Sequence, residues 1–105
     1  MNEQRFEALK IMLNDNPNDP FALYGLALEY KSDGDLDSAK PLLEKSIQVD
    51  PTQIYAYYQL AEVLIGLDEI DSAIDILQQG IEVAEDARDS KAIHELEALL
   101  MMVED

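Results

Sequence analysis

Apolar residues return three and four positions apart over runs of about a dozen residues, and short polar stretches interrupt each run. That spacing places the apolar side chains on one side of a 3.6-residue turn, whereas a strand would alternate. The pattern predicts helices over 20–32, 37–49, 53–66 and 71–87, flanked by amphipathic helices over 1–14 and 90–103. Pro20 stands at the start of its helix, where a missing N–H does no harm. The run ends in Ser32-Asp33-Gly34-Asp35, with Gly34 free to take a positive φ. The next ends at Asp50-Pro51, because a proline drives the residue before it out of the α region. In the last helix Ile93, Leu96, Leu99, Leu100 and Val103 form the apolar stripe, and Lys91 precedes Glu95 by four.

Two of these helix pairs are copies of one another. Laid over residues 54–87 without a gap, residues 20–53 match at ten of 34 positions. Ala22, Tyr24, Leu26, Ala27, Leu43, Ile47 and Val49 coincide with Ala56, Tyr58, Leu60, Ala61, Leu77, Ile81 and Val83, and Asp37-Ser38-Ala39 coincides with Asp71-Ser72-Ala73. Aliphatic or aromatic exchanges such as Phe21 for Tyr55 and Leu42 for Ile76 fall on the same apolar face. A single pair cannot bury that face, so the core is expected to be shared between neighbours. The predicted organisation is one domain over 1–105, made of a half repeat over 1–19, repeats over 20–53 and 54–87, and a capping helix over 88–105. Beginning at a half unit, the chain reads equally as a whole protein and as a piece of a longer array.

Three irregularities carry expectations of their own. Counted from a cap at Asp37 or Ser38, Pro41 falls at the third or fourth helical position, where at most one backbone bond is lost. Asp68 occupies the place of Gly34, which predicts a strained or differently shaped turn. The second unit has Glu85 where the first has Pro51, so its last helix is expected to run on toward Asp89.

Leu26-Ala27, Tyr30, Gly34, Leu36, Ala39, Leu43, Ile47 and Pro51 together resemble the tetratricopeptide repeat. The resemblance implies an all-α fold of about six helices, antiparallel pairs stacked into a right-handed superhelix. The small residues Ala27, Ala39, Ala61 and Ala73 stand where that family brings two helices close, and a larger side chain there would overpack. The chain departs from the pattern at Leu23, where tryptophan is common, and at Ser46 and Gly80, where alanine is usual.

Composition narrows the chemistry. The absence of cysteine excludes disulfides, thiolate metal sites and thiol nucleophiles, and fits a reducing cytoplasmic setting. No apolar run reaches the length of a membrane span. With 23 acidic and 7 basic side chains the net charge is −16, which disfavours nucleic acid and anionic lipid and favours a basic partner. Carboxylate pairs such as Asp71 with Asp75 or Glu82 with Glu85 follow from abundance alone. Asp33-Gly34-Asp35-Leu36-Asp37 lacks the closing Glu of a calcium loop, and a lone His94 makes neither a zinc site nor a triad. No catalysis, metal or cofactor is expected.

What remains is recognition. The resemblance places the first helix of every unit on a concave wall, and the positions exposed there correspond to Phe21, Tyr24 and Leu28, then Tyr55, Tyr58, Gln59 and Glu62. Aromatic rings offer contact area with few rotamers to freeze, which suits a peptide or helix partner, although rings at this spacing serve a core equally well. Some relatives hold a carboxyl-terminal tail there with Lys, Arg and Asn; Tyr24, Leu28, Tyr58, Gln59 and Glu62 at the matching positions provide no such clamp. Two readings follow: an adaptor or scaffold that binds an apolar or basic peptide segment, and self-association into a weak homodimer through end helices bearing Phe6, Ile11, Met12, Met101 and Met102.

Overall fold

A computed structural model describes residues 1–104, so position 105 of the predicted capping segment lies outside the description. Among the described residues there are six helices and no strand: α1 (Glu3–Asp15), α2 (Pro20–Ser32), α3 (Leu36–Val49), α4 (Ile54–Gly66), α5 (Ile70–Asp86) and α6 (Ser90–Val103). Side chains start four of them. Asn2 accepts from the Arg5 N–H, Asp19 from those of Phe21 and Ala22, Asp35 from Ser38 and Asp89 from Ala92. Each bond satisfies a donor that the helix itself leaves open.

The cap at Asp35 corrects the expectation for Pro41. With Leu36 opening the helix, Pro41 is the sixth residue of α3, deeper than a start at Asp37 or Ser38 would put it. The Ser38 hydroxyl also donates to Asp35, at 2.8 Å, which strengthens the cap two residues earlier than expected. Pro41 is exposed, and the carbonyl it leaves without an intrahelical donor belongs to Asp37, which is exposed as well.

Three helix ends share one hydrogen-bond pattern. After α2 the N–H groups of Gly34 and Asp35 donate to the carbonyls of Lys31 and Tyr30; after α4 those of Asp68 and Glu69 donate to Ile65 and Leu64; after α5 those of Arg88 and Asp89 donate to Glu85 and Ala84. The residue at the turn of each has a left-handed backbone, with φ of 80° at Gly34, 62° at Asp68 and 56° at Arg88. The turn at Asp68 is therefore strained, as its residue type predicts, yet it keeps the shape made by glycine. The turn at Arg88 explains why α5 stops at Asp86 short of Asp89: once Arg88 goes left-handed, the Ala84 carbonyl is taken by the Asp89 N–H, and Asp89 is committed to capping α6.

A left-handed side chain costs about 1 kcal/mol or more relative to glycine. Arg88→Gly is therefore expected to raise stability by about 1 kcal/mol, and Asp68→Gly by less, since aspartate tolerates this region better. Urea midpoints of the two variants check it, with an unchanged or lowered midpoint for Arg88→Gly as the adverse result.

The helices fall into two compact units, Met1–Pro51 and Thr52–Asp105. In the first, Leu9, Ala22 and Leu26 are buried with Phe6, Met12, Leu13, Tyr30 and Leu42 packed on them. Leu9 sits over Gly25, where an added Cβ would lie 3.0 Å from a Leu9 methyl. Ser46, fully buried, donates its hydroxyl to the Pro20 carbonyl at 3.3 Å, so the serine in an alanine position has a partner across α2 and α3. In the second unit Ala61, Leu77, Ala84, Ala92, Leu96 and Leu99 form the centre, drawn from α4, α5 and α6. Its counterpart of Ser46 is Gly80, against which Tyr57 packs. Among the described residues no helix is long and apolar enough to cross a membrane.

Candidate functional site

Tyr55, Tyr58, Gln59 and Glu62 recur at intervals of three and four, which makes them one strip of α4. Ala56, Tyr57, Leu60, Ala61, Val63 and Leu64 are buried in the interior and so hold that strip at the boundary with solvent. Tyr55 is exposed, and the other three are half-buried. The Tyr55 hydroxyl donates to Glu95 Oε1 on α6 at 3.3 Å, so the strip continues from α4 onto a second helix. Tyr58 packs its ring against the centre of the unit. Burial raises the pKa of its hydroxyl above the usual value of 10.0, and the negative charges of Glu62 and Glu95 raise it further. Tyr58 accordingly stays a neutral donor while two carboxylates from different helices bear on it. The resulting face has apolar rings, hydroxyl donors and a negative potential suited to a cation.

The first unit carries a corresponding strip on α2. Phe21 is 61% exposed there, and Tyr24 and Leu28, three and seven positions on, are half-buried. The seven residues expected on one wall are thus three on α2 and four on α4, each set aligned along its own helix. Charge is divided unevenly between the units: residues 52–105 contain 13 acidic and 2 basic side chains, a net of −11 out of −16. The bases of this half, Arg88 and Lys91, lie near the turn before α6.

Glu95 was not among the expected residues, although the sequence contains a signal for it. Setting α6 against α2 and α4 with two extra residues allowed aligns Ala92 with Ala22 and Ala56, all fully buried, and Leu96 with Leu26 and Leu60, all buried. In that register Glu95 matches Gln59. The longer α5, 17 residues against 14 in α3, hides the match from an ungapped comparison. The α6 helix therefore has the burial pattern of a unit's first helix.

The family model for the tetratricopeptide repeat matches residues 31–100. The chain belongs to the tetratricopeptide repeat family. A crystallised tetratricopeptide repeat domain protein from Salinibacter ruber is 36% identical, with a TM-score of 0.77 over 82% of this chain and 96% of that one. Two more distant likenesses support the fold. The TPR2B domain of yeast Sti1, solved in complex with pHsp70, superposes with a TM-score of 0.88 at 20% identity, covering 94% of this chain and 79% of that one. SycD, a type III secretion translocator chaperone from Yersinia enterocolitica, gives 0.89 at 16% identity, covering 97% and 71%. No curated protein matches the chain.

Proposed function

We propose that this tetratricopeptide repeat chain is a protein-interaction module, an adaptor or scaffold whose second unit holds an apolar peptide segment bearing a Lys or Arg side chain. The observation that carries the reading is the convergence of Tyr55, Tyr58, Glu62 and Glu95 from α4 and α6 on one partly exposed face. Tyr55 and Tyr58 offer ring surface, Gln59 an amide for peptide backbone, and Glu62 and Glu95 the counter-charge for a cation. On α2 the strip of Phe21, Tyr24 and Leu28 has the aromatic part of this chemistry and takes apolar side chains of a partner. The organisation proposed with it is one domain over 1–105: half repeat 1–19, repeats 20–53 and 54–87, and a capping helix over 88–105. No catalytic step is assigned, and a cysteine-free acidic module suits a reducing cytoplasm.

Fluorescence anisotropy with labelled apolar peptides, each made with lysine and with norleucine at one position, tests this. Wild type is expected to prefer the lysine peptide, and Glu62→Gln/Glu95→Gln to lose about a factor of ten for it, about 1.4 kcal/mol. Tyr55→Ala/Tyr58→Phe is expected to weaken both peptides. Equal affinities of wild type and the tyrosine variant for every peptide remove this face from the function.

A second reading is self-association through the terminal helices, favoured by the exposure of Ile11 at 63%, Met101 at 76% and Met102 at 75%. A sedimentation coefficient that stays monomeric as protein concentration rises eliminates it.

A further inference from the structure

The attachment of α1 differs in kind from that of the other helices. It is 13 residues long, a length at which an isolated helix is marginal in water, and Leu9 is its single fully buried residue. Its seat on α2 is nevertheless specific. Leu9 fills the notch above Gly25, where an added Cβ would stand 3.0 and 3.2 Å from its two methyls and press Leu9 aside. Phe6 meets Tyr30 edge to face, with ring centroids 5.3 Å apart. Arg5 Nε lies 3.0 Å from Glu29 Oε1, and the Asn2 N–H donates to Glu29 Oε2 at 3.0 Å. The Glu29 side chain, 12% exposed, is the polar centre of this seat. These contacts come from Asn2 at the cap and from Arg5, Phe6 and Leu9 of α1, and Met12 and Leu13 add packing on the same cluster.

The connection from α1 to α2 is the four residues Asn16-Pro17-Asn18-Asp19. Asn16 is already extended, at φ −140° and ψ 96°, as the residue before a proline should be. The Asn18 N–H donates to the Asn16 side chain, and the Asp19 N–H to the Asn16 carbonyl. Opening this turn breaks two local hydrogen bonds and keeps Pro17 in a conformation it accepts.

We propose that α1 is an exchangeable element, and that the α2 face formed by Gly25, Leu26, Glu29 and Tyr30 is a helix-docking surface whose second occupant is the α1 of another copy of this chain. Exchange between two copies remakes every contact of the seat in both directions and requires no new interface. It loses the advantage of the intrachain connection, an effective concentration in the millimolar range for so short a linker. The swapped dimer is therefore a high-concentration species, reached when α1 opens while α2 and α3 remain folded.

Wild-type chain refolded at about 1 mM, half of it 13C-labelled and half unlabelled, tests the proposal. The expected result is a dimer in sedimentation that shows inter-copy nuclear Overhauser contacts between Phe6 and Tyr30 and between Leu9 and Leu26. Pro17→Gly, a change at an exposed hinge position, is expected to lower the dimer share several-fold because a supple hinge folds back more readily. A monomer at this concentration, or a dimer whose inter-copy contacts involve Met101 and Met102 and spare Phe6 and Tyr30, overturns it. So does protection of α1 amides from hydrogen exchange equal to that of α3.

Discussion

Gly80→Val is expected to lower the stability of the chain by about 3 kcal/mol. A Cβ at this position would stand 2.7 Å from Tyr57 Cβ, 3.2 Å from its Cγ and 3.3 Å from a Leu96 methyl. Leu96 could yield by turning its side chain, but Tyr57 Cβ moves only with the backbone of α4, and Tyr57 is buried. The α4 and α5 helices would have to part. Gly80→Ala poses the question more finely. Alanine gains about 1 kcal/mol in a helix interior over glycine, and overpacking by one methyl costs about 1–3 kcal/mol. The expected order of stability is therefore glycine above alanine above valine, measured as urea midpoints. An alanine variant more stable than the wild type would mean that the close approach of α4 and α5 is not the reason glycine stands here.

Leu77→Ala is expected to cost about 3–4 kcal/mol, a large share of the roughly 5–15 kcal/mol that holds a domain of this size together. Leu77 is wholly buried and sits among Ala61, Ala84, Ala92, Leu96 and Leu99. Three of these neighbours are alanines, whose side chains cannot swing into the space left behind, so the cavity would persist. Ile81→Val, at a half-buried position on the same helix, is expected to cost about 1 kcal/mol. Thermal unfolding of both variants checks the contrast, and equal losses would show that Leu77 is not central to the unit.

These positions also show how far the sequence could be read. Ala22 and Ala56, Leu43 and Leu77, and Ala39 and Ala73 repeat because each must fit the same fully buried place, so the helices and their pairing were legible from periodicity. Turns and caps were less so. Asp68 and Arg88 both take the left-handed conformation and hydrogen-bond pattern of the turn at Gly34, for which nothing in the Arg88 side chain argues. The start of α3 depended on which of Asp35, Asp37 and Ser38 would cap, and three residues of similar capping ability stand in four positions. For the candidate face, the resemblance to the repeat family pointed to the α4 residues but could not divide Tyr58 between groove and core, because its ring is packed while its hydroxyl lies under the influence of Glu62 and Glu95. Glu95 itself was hidden by the extra length of α5.

The most direct measurement is a titration of the 15N-labelled chain with an unlabelled apolar peptide carrying one lysine, followed by amide chemical shifts. Shifts that grow with peptide at Tyr55, Tyr58, Glu62 and Glu95, and that need about ten times more peptide in Glu62→Gln/Glu95→Gln, are the predicted result. Shifts confined to other surfaces, such as Ile11, Met101 and Met102, would contradict the assignment of recognition to the α4–α6 face.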